Sequence, residues 1–114
     1  DLVSKDYYAQ ELKYQDKIDA IHNSNSLPNS IKHKVIGSGI LLTINDSLPI
    51  KNFSGIINFF RPSDASKDVQ LKMAFVNNEQ VIDKAILQHG SYKMQLSWKN
   101  DGKSYYKEEV IFIE

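Results

Sequence analysis

The side chains of this sequence best suited to hold a metal ion are three histidines and two methionines. His22, His33 and His89 fall in three different predicted elements, without the i, i+4 spacing of a helical site or the alternate spacing of a strand site. With Met73 and Met94 they offer imidazole and thioether ligands, which suit copper. Both methionines lie in the apolar phase of predicted strands, where methionine usually fills the core. The sequence therefore predicts no cofactor, and His33, His89, Met73 and Met94 are weak candidates for copper.

The residues that acid–base or nucleophilic catalysis requires do not form a recognisable pattern. The chain has no cysteine, no Gly-x-Ser-x-Gly elbow and no phosphate-binding loop. Glu108 and Glu109 are neighbours on a predicted strand, so their carboxylates point to opposite faces and cannot share one substrate. We predict that the protein is not an enzyme.

Charge and composition indicate a single globular domain that does not bind nucleic acid. The 114 residues are 41% hydrophobic, and 14 basic side chains balance 14 acidic ones. Without an excess of positive charge there is no field to attract a phosphate backbone. A chain of this size usually forms one domain.

The remaining candidates are residues that could contact a protein partner. Arg61 is the only arginine and precedes Pro62 at the end of an apolar run. It could pair with Asp64 or Asp68, cap the carbonyls of a turn, or recognise a partner. Adjacent strand residues face opposite ways, so one tyrosine of the pair Tyr105-Tyr106 should leave the core and could anchor a contact. The candidate binding residues are Tyr7, Tyr8, Tyr14, Arg61, Asp64 and Tyr105.

A helix is predicted over residues 4–22, because no glycine or proline interrupts this segment and Ser4 can cap its first turn. Its apolar residues follow a helical stripe. The stripe could pack on the same domain, bind a partner or continue a membrane helix. It consists of Tyr7, Tyr14, Ile18 and Ile21, with Tyr8 and Leu12 at its edge.

Beyond a polar segment at residues 23–30, the apolar period changes from helical to strand-like. The predicted fold is mainly β, an immunoglobulin-like antiparallel β-sandwich of about seven strands preceded by one N-terminal α-helix. We expect a helical segment at 1–25 and the sandwich at 26–114. The predicted strands are 31–36, 39–45, 53–61, 68–76, 80–83, 92–99 and 104–113.

Two details of the last strands sharpen this prediction. Gly90 lies two residues before Tyr92, as at a tyrosine corner, and Trp98 is the natural core indole. Asn100-Asp101-Gly102 suits a three-residue hairpin loop with Gly102 in the left-handed conformation. The resulting register sets Leu96 across from Tyr106, Tyr92 across from Val110 and Lys93 across from Glu109.

Several motifs give the chain a resemblance to a known family. They are the Leu-Val-x-x-Asp-Tyr-Tyr start at residues 2–8, Phe-Arg-Pro-Ser at 60–63, Gly-x-Tyr at 90–92, Leu-x-Trp at 96–98, Asp-Gly at 101–102 and Tyr-Tyr at 105–106. Through these motifs, which span nearly the whole chain, the sequence resembles the FixH family.

The resemblance implies a bacterial protein held in the inner membrane by an N-terminal transmembrane helix, with this domain on the periplasmic side. Since the sequence starts at Asp1 without methionine, we expect that helix to be missing from it. The resemblance also implies a role in assembly or copper maturation of a cbb-type haem-copper cytochrome oxidase. Its implied partners are oxidase subunits or a copper-transporting P-type ATPase.

Two other functions stay open at this stage. A β-sandwich with histidine and methionine ligands could be a periplasmic copper metallochaperone. The other alternative is an extracellular adhesion or carbohydrate-binding module, for which the full-length gene would encode a secretion signal or additional domains instead of a single membrane anchor.

Overall fold

The computed structural model describes the backbone of residues 2–27, 29–45 and 47–114, and the side chains of residues 13–27, 29–45 and 47–114. These residues form one long helix, α1, and seven strands. The elements are α1 (Leu2–Asn25), β1 (Ile31–Ile36), β2 (Gly39–Ile44), β3 (Ser54–Phe60), β4 (Val69–Lys72), β5 (Glu79–Asp83), β6 (Gly90–Asn100) and β7 (Lys103–Ile113).

The strands form two antiparallel sheets with the orders β1-β2-β5 and β4-β3-β6-β7. The predicted mainly-β sandwich with one N-terminal helix is confirmed. The strands are arranged as in immunoglobulin-like domains. One sheet has the three strands β1, β2 and β5. The other contains β3, β6 and β7, and β4 extends it beside β3. Both sheets contribute alternate residues to one core, as expected when each strand has one buried face.

The tyrosine corner predicted at Tyr92 is present. Its ring is buried, and its hydroxyl accepts a hydrogen bond from the backbone N–H of Gln88 at 2.9 Å. The side chain of Trp98 is 6% exposed and belongs to the core, as predicted. These two residues fix the start and the end of the buried face of β6.

The predicted register of the last hairpin is wrong by one residue. Asn100 pairs with Lys103, so the loop has two residues, and Tyr92 lies opposite Ile111. Asp101 and Gly102 have φ angles of 52° and 78°, as a type I′ turn requires at both central positions. Aspartate tolerates this conformation, and the type I′ turn matches the twist of the flanking strands better than other short turns do. The shift exchanges the two faces of β7.

The shift places Tyr105, instead of Tyr106, in the core. Tyr105 lies opposite Trp98 and stacks on the indole, with ring centroids 5.4 Å apart and an interplanar angle of 8°. Lys107 takes the position opposite Leu96, and Val110 the position opposite Lys93. The other aromatic pair also divides as expected, since Phe59 is buried and Phe60 is half-buried.

Several element boundaries differ from the prediction: α1 ends at Asn25 instead of residue 22, and β6 spans Gly90–Asn100 instead of 92–99. The helix begins at Leu2, so Ser4 lies inside it and is not its N-cap. The strand predicted over 68–76 ends at Lys72. Beyond it the N–H of Met73 still bonds the carbonyl of Gly55 on β3, and the side chain of Gln80 bonds the carbonyl of Lys72 and the N–H of Ala74.

Candidate functional site

The C-terminal half of α1 docks along the edge of β7. The Oγ of Ser24 donates to the carbonyl of Tyr106 at 2.5 Å, and the Nδ2 of Asn23 donates to the carbonyl of Ser104 at 2.9 Å. Ala20 and Ser24 are 6% and 5% exposed. Because an open strand edge can pair with other chains, the helix protects this part of β7.

A polar cluster lies between the helix and the outer face of the four-stranded sheet. The Nζ of Lys17 lies 4.8 Å from the ring centroid of Tyr106 and 3.9 Å from Oε1 of Glu108. The Nζ of Lys93 lies 3.9 Å from Oε2 of the same carboxylate, and the hydroxyl of Tyr106 donates to it. The cluster ties α1, β6 and β7 together.

The ionisation of this cluster follows from its contacts. The hydrogen bond from Tyr106 is the largest cause that holds the pKa of Glu108 below its ordinary value, with Lys93 and Lys17 adding to it and burial opposing it. Burial, and then the bond to Glu108, raises the pKa of Tyr106. Glu108 is therefore a carboxylate and Tyr106 a neutral phenol at neutral pH.

The residues of the apolar stripe of α1 whose side chains are described remain exposed. Tyr14, Ile18 and Ile21 are 69%, 40% and 37% exposed. At 3.6 residues per turn the stripe lies about 90° around the helix from the docking residues Lys17, Ala20 and Ser24. An apolar helix face in water is a typical feature of a contact surface.

Two grooves flank the helix. The groove on the stripe side has a volume of about 630 Å³, with Tyr14, Ile18 and Ile21 on one wall and residues 106–109 of β7 on the other. The groove on the opposite side, of about 750 Å³, crosses the outer face of the sheet at Ser54 and Ile56. We call the first one the α1–β7 groove.

Comparison with known proteins identifies the family. The family model of FixH matches residues 1–112, essentially the whole chain. The chain belongs to the FixH family. Searches of curated proteins and of solved structures give no significant match. Membership in the FixH family fits an accessory role in cytochrome oxidase assembly.

The predicted site residues of this FixH domain lie in separate places. Tyr14 lines the α1–β7 groove, whereas the side chains of Tyr7 and Tyr8 are outside the described residues. Tyr105 is buried against Trp98, so the tyrosine that reaches the surface is Tyr106. The register of the β6–β7 hairpin decides which of the two tyrosines points outward. The register predicted from the sequence is wrong by one residue.

Arg61 has structural contacts at the far end of β3 from the helix. Its guanidinium donates to the carbonyls of Gln88 and His89 and lies 4.8 Å from the ring centroid of Tyr92. Its backbone N–H donates to Asp68 Oδ1 at 2.7 Å. Of the interpretations left open by the sequence, the structure shows the cap on turn carbonyls.

Asp64 belongs to the same turn. Its Oδ1 accepts from the N–H of Ser66 at 3.0 Å and from the Oγ of Ser66 at 2.6 Å. These bonds, above all the one from the hydroxyl, lower the pKa of Asp64. The carboxylate caps the short 3₁₀ turn Ala65–Lys67.

The weak copper candidates of the FixH domain lie in four separate segments of the chain. Met94 is fully buried in the core and Met73 packs against the core. His33 lies on β1, whereas His89 is exposed against the ring of Phe112, with centroids 5.4 Å apart. Across the described side chains, no group of three or more histidines and carboxylates could hold a metal ion. Within the described ranges, no helix is both long and apolar enough to cross a membrane.

Proposed function

We propose that this FixH-family domain is a non-enzymatic accessory module for assembly or copper maturation of a cbb-type haem-copper cytochrome oxidase. It would act on the periplasmic side of the bacterial inner membrane, held there by a transmembrane helix, as the family resemblance implies. Its partners would be oxidase subunits or a copper-transporting P-type ATPase. The proposal rests on the family match together with a surface suited to protein contact.

The observation that carries the proposal is the exposed stripe of α1. Tyr14 is 69% exposed, and Ile18 and Ile21 border the same groove. The helix is already fixed to β7 through Asn23 and Ser24, so its stripe is presented in a fixed orientation. Tyrosine and aliphatic residues on a preorganised surface favour protein binding, because little conformational entropy is lost on contact.

Replacing the stripe in the natural protein tests this function. Cells carrying Tyr14→Ser and Ile18→Ser should lose several-fold in assembled oxidase, measured by reduced-haem spectra, native gels and oxygen consumption. The matched control is Val81→Ser with Ile86→Ser, which removes two exposed apolar side chains away from α1 and should leave oxidase levels unchanged. An unchanged oxidase level in cells that lack the whole protein would refute the assembly function.

Copper titration separates this role from that of a metallochaperone. We expect no stoichiometric copper binding tighter than micromolar, since the soft ligands Met94 and His89 occupy the core and the exposed surface respectively. Tight binding that disappears on replacing His89 or His33 would favour a copper carrier instead.

A further inference from the structure

The edge of β7 beyond the helix offers unpaired main-chain groups. β7 is the end strand of its sheet. The two-residue turn after Asn100 makes the odd-numbered residues of β7 bond to β6, so the even-numbered ones direct N–H and C=O outward. Asn23 and Ser24 bond the outward carbonyls of Ser104 and Tyr106. No residue in the described ranges bonds the corresponding groups at positions 108, 110 and 112.

The α1–β7 groove runs along this same edge. Four consecutive β7 residues, 106–109, line it. Neighbouring strand residues point to opposite faces, so a groove touching all four must follow the edge of the strand. Its other wall is the exposed apolar stripe of α1. A ligand in this groove must therefore form main-chain hydrogen bonds with the β7 wall and apolar side-chain contacts with the α1 wall.

We propose that an extended segment of a partner protein enters the α1–β7 groove and pairs with β7 along residues 108–112, as a fifth strand of the four-stranded sheet. This inference rests on the proposed function and specifies how the partner binds. A strand is the only regular element that can satisfy a row of outward N–H and C=O groups. Its alternate side chains would pack against Tyr14 and Ile18.

The side chains around the edge indicate an uncharged, apolar segment. Val110 and Phe112 are 75% and 52% exposed on the outer face of β7. The two glutamates beside them already have lysine partners, since the Nζ of Lys107 lies 3.6 Å from Glu109 Oε1 and Glu108 contacts lysines of α1 and β6. A charged segment would lose part of its hydration beside these two apolar side chains, which cannot replace it.

A second copy of this chain fits the edge poorly. An antiparallel pairing of two β7 strands centred on Glu109 would oppose that carboxylate to its own copy. Centred on Ile111, it would oppose Glu108 to Glu114, and like charges directly across a strand pair are destabilising. Centred on Val110, it would set a glutamate across from an aromatic ring on both sides. We therefore expect a different protein as the occupant.

A proline scan of the outward positions tests strand addition specifically. Val110→Pro removes an outward N–H and places a ring at the edge, but it leaves the ladder to β6 intact. Val110→Thr keeps the N–H and is the matched control. The probe is p-benzoylphenylalanine in place of Ile18, photo-crosslinked in the natural protein in its own cells, with Val81 as the control position.

We expect an adduct with one protein from position 18 and none from position 81. The adduct should fall at least about tenfold with Val110→Pro, which corresponds to the loss of roughly one or two main-chain hydrogen bonds, and it should persist with Val110→Thr. Thermal unfolding checks that Val110→Pro is folded. If it is not, Phe112→Pro, whose N–H also points outward near the end of the strand, replaces it.

Three results would overturn strand addition. They are an adduct insensitive to proline, an adduct with a second copy of the chain, and no adduct at all. Failure of this inference is distinguishable from failure of the assembly function. If stripe substitutions lower oxidase assembly while the proline variants do not, the contact surface stands and strand pairing is excluded.

Discussion

The hydroxyl of Tyr92 accepts a hydrogen bond from the backbone N–H of Gln88 at 2.9 Å, and this bond fixes the loop between β5 and β6 to the sandwich. Tyr92→Phe keeps the packing of the ring but leaves that N–H without its partner. We expect a loss of about 1 kcal/mol in the free energy of unfolding, measured by urea denaturation. Tyr14→Phe, which removes a hydroxyl from an exposed ring, should change it little. Equal effects would show that the corner bond does not stabilise the fold.

Gly90 is the second residue that this corner requires. Its φ angle is +119°, and an added Cβ would lie 2.7 Å from Nη2 of Arg61. Gly90→Ala should therefore cost about 2–3 kcal/mol in the free energy of unfolding, from the unfavourable φ and from displacement of the guanidinium. The control is Gly37→Ala, where no atom lies within 4 Å of the added Cβ, and we expect a small effect there.

A double-mutant cycle separates the two causes of this cost. In an Arg61→Ala background the guanidinium can no longer clash, so Gly90→Ala should cost less than in the wild type, with only the backbone term left. An undiminished cost would mean that Arg61 does not restrict position 90.

The link between Tyr106 and Glu108 predicts a measurable pKa change. The phenol is the largest cause that lowers the pKa of Glu108, so Tyr106→Phe should raise this pKa toward the ordinary value of a glutamate. Lys93→Met should raise it less, and Tyr14→Phe should not change it. NMR titration of the side-chain carboxyl carbon measures each shift. A larger effect from Lys93 would show that charge, rather than the hydrogen bond, dominates.

The same pKa has a defined consequence for acid stability. Because the pKa of Glu108 is lower in the folded state, its contribution is fully present above the unfolded value and is lost as pH falls through the lowered folded pKa. Tyr106→Phe should therefore reduce the drop in the free energy of unfolding at acidic pH. Since the side chain of Glu108 is 36% exposed, solvent screening keeps this effect small.

The sandwich could be predicted from sequence because each long strand has one buried face. Met94, Leu96 and Trp98 alternate with polar residues, and all three are buried. The hairpin register could not be predicted with the same certainty, since Asp101-Gly102 suits both a three-residue loop and a type I′ turn. Only the conformation of Asp101 distinguishes them, and it decides whether Tyr105 or Tyr106 faces outward.

The face of α1 that docks on β7 could not be predicted from the sequence either, for a different reason. The sequence marked the helix by its large apolar residues, but the contact with β7 is made by Ala20, Ser24 and Asn23. Small and polar residues carry no periodic signal, and their partners are main-chain carbonyls, which every sequence has. The apolar stripe at Tyr14 could be found from sequence, whereas the 69% exposure of the Tyr14 side chain could not.

Placing a charge in the docking contact should release the helix while leaving the sandwich folded. Ala20 is 6% exposed against the sheet, so Ala20→Glu would bury a carboxylate that has no partner. The cost of undocking α1 is limited to a few side-chain contacts, so the helix should detach before the core unfolds. Amide hydrogen exchange of residues 13–25 should then rise at least about tenfold, with β6 still protected. Ile18→Glu places the same charge on the exposed stripe and should leave exchange unchanged. If the two variants exchange alike, the helix does not dock through the face that contains Ala20.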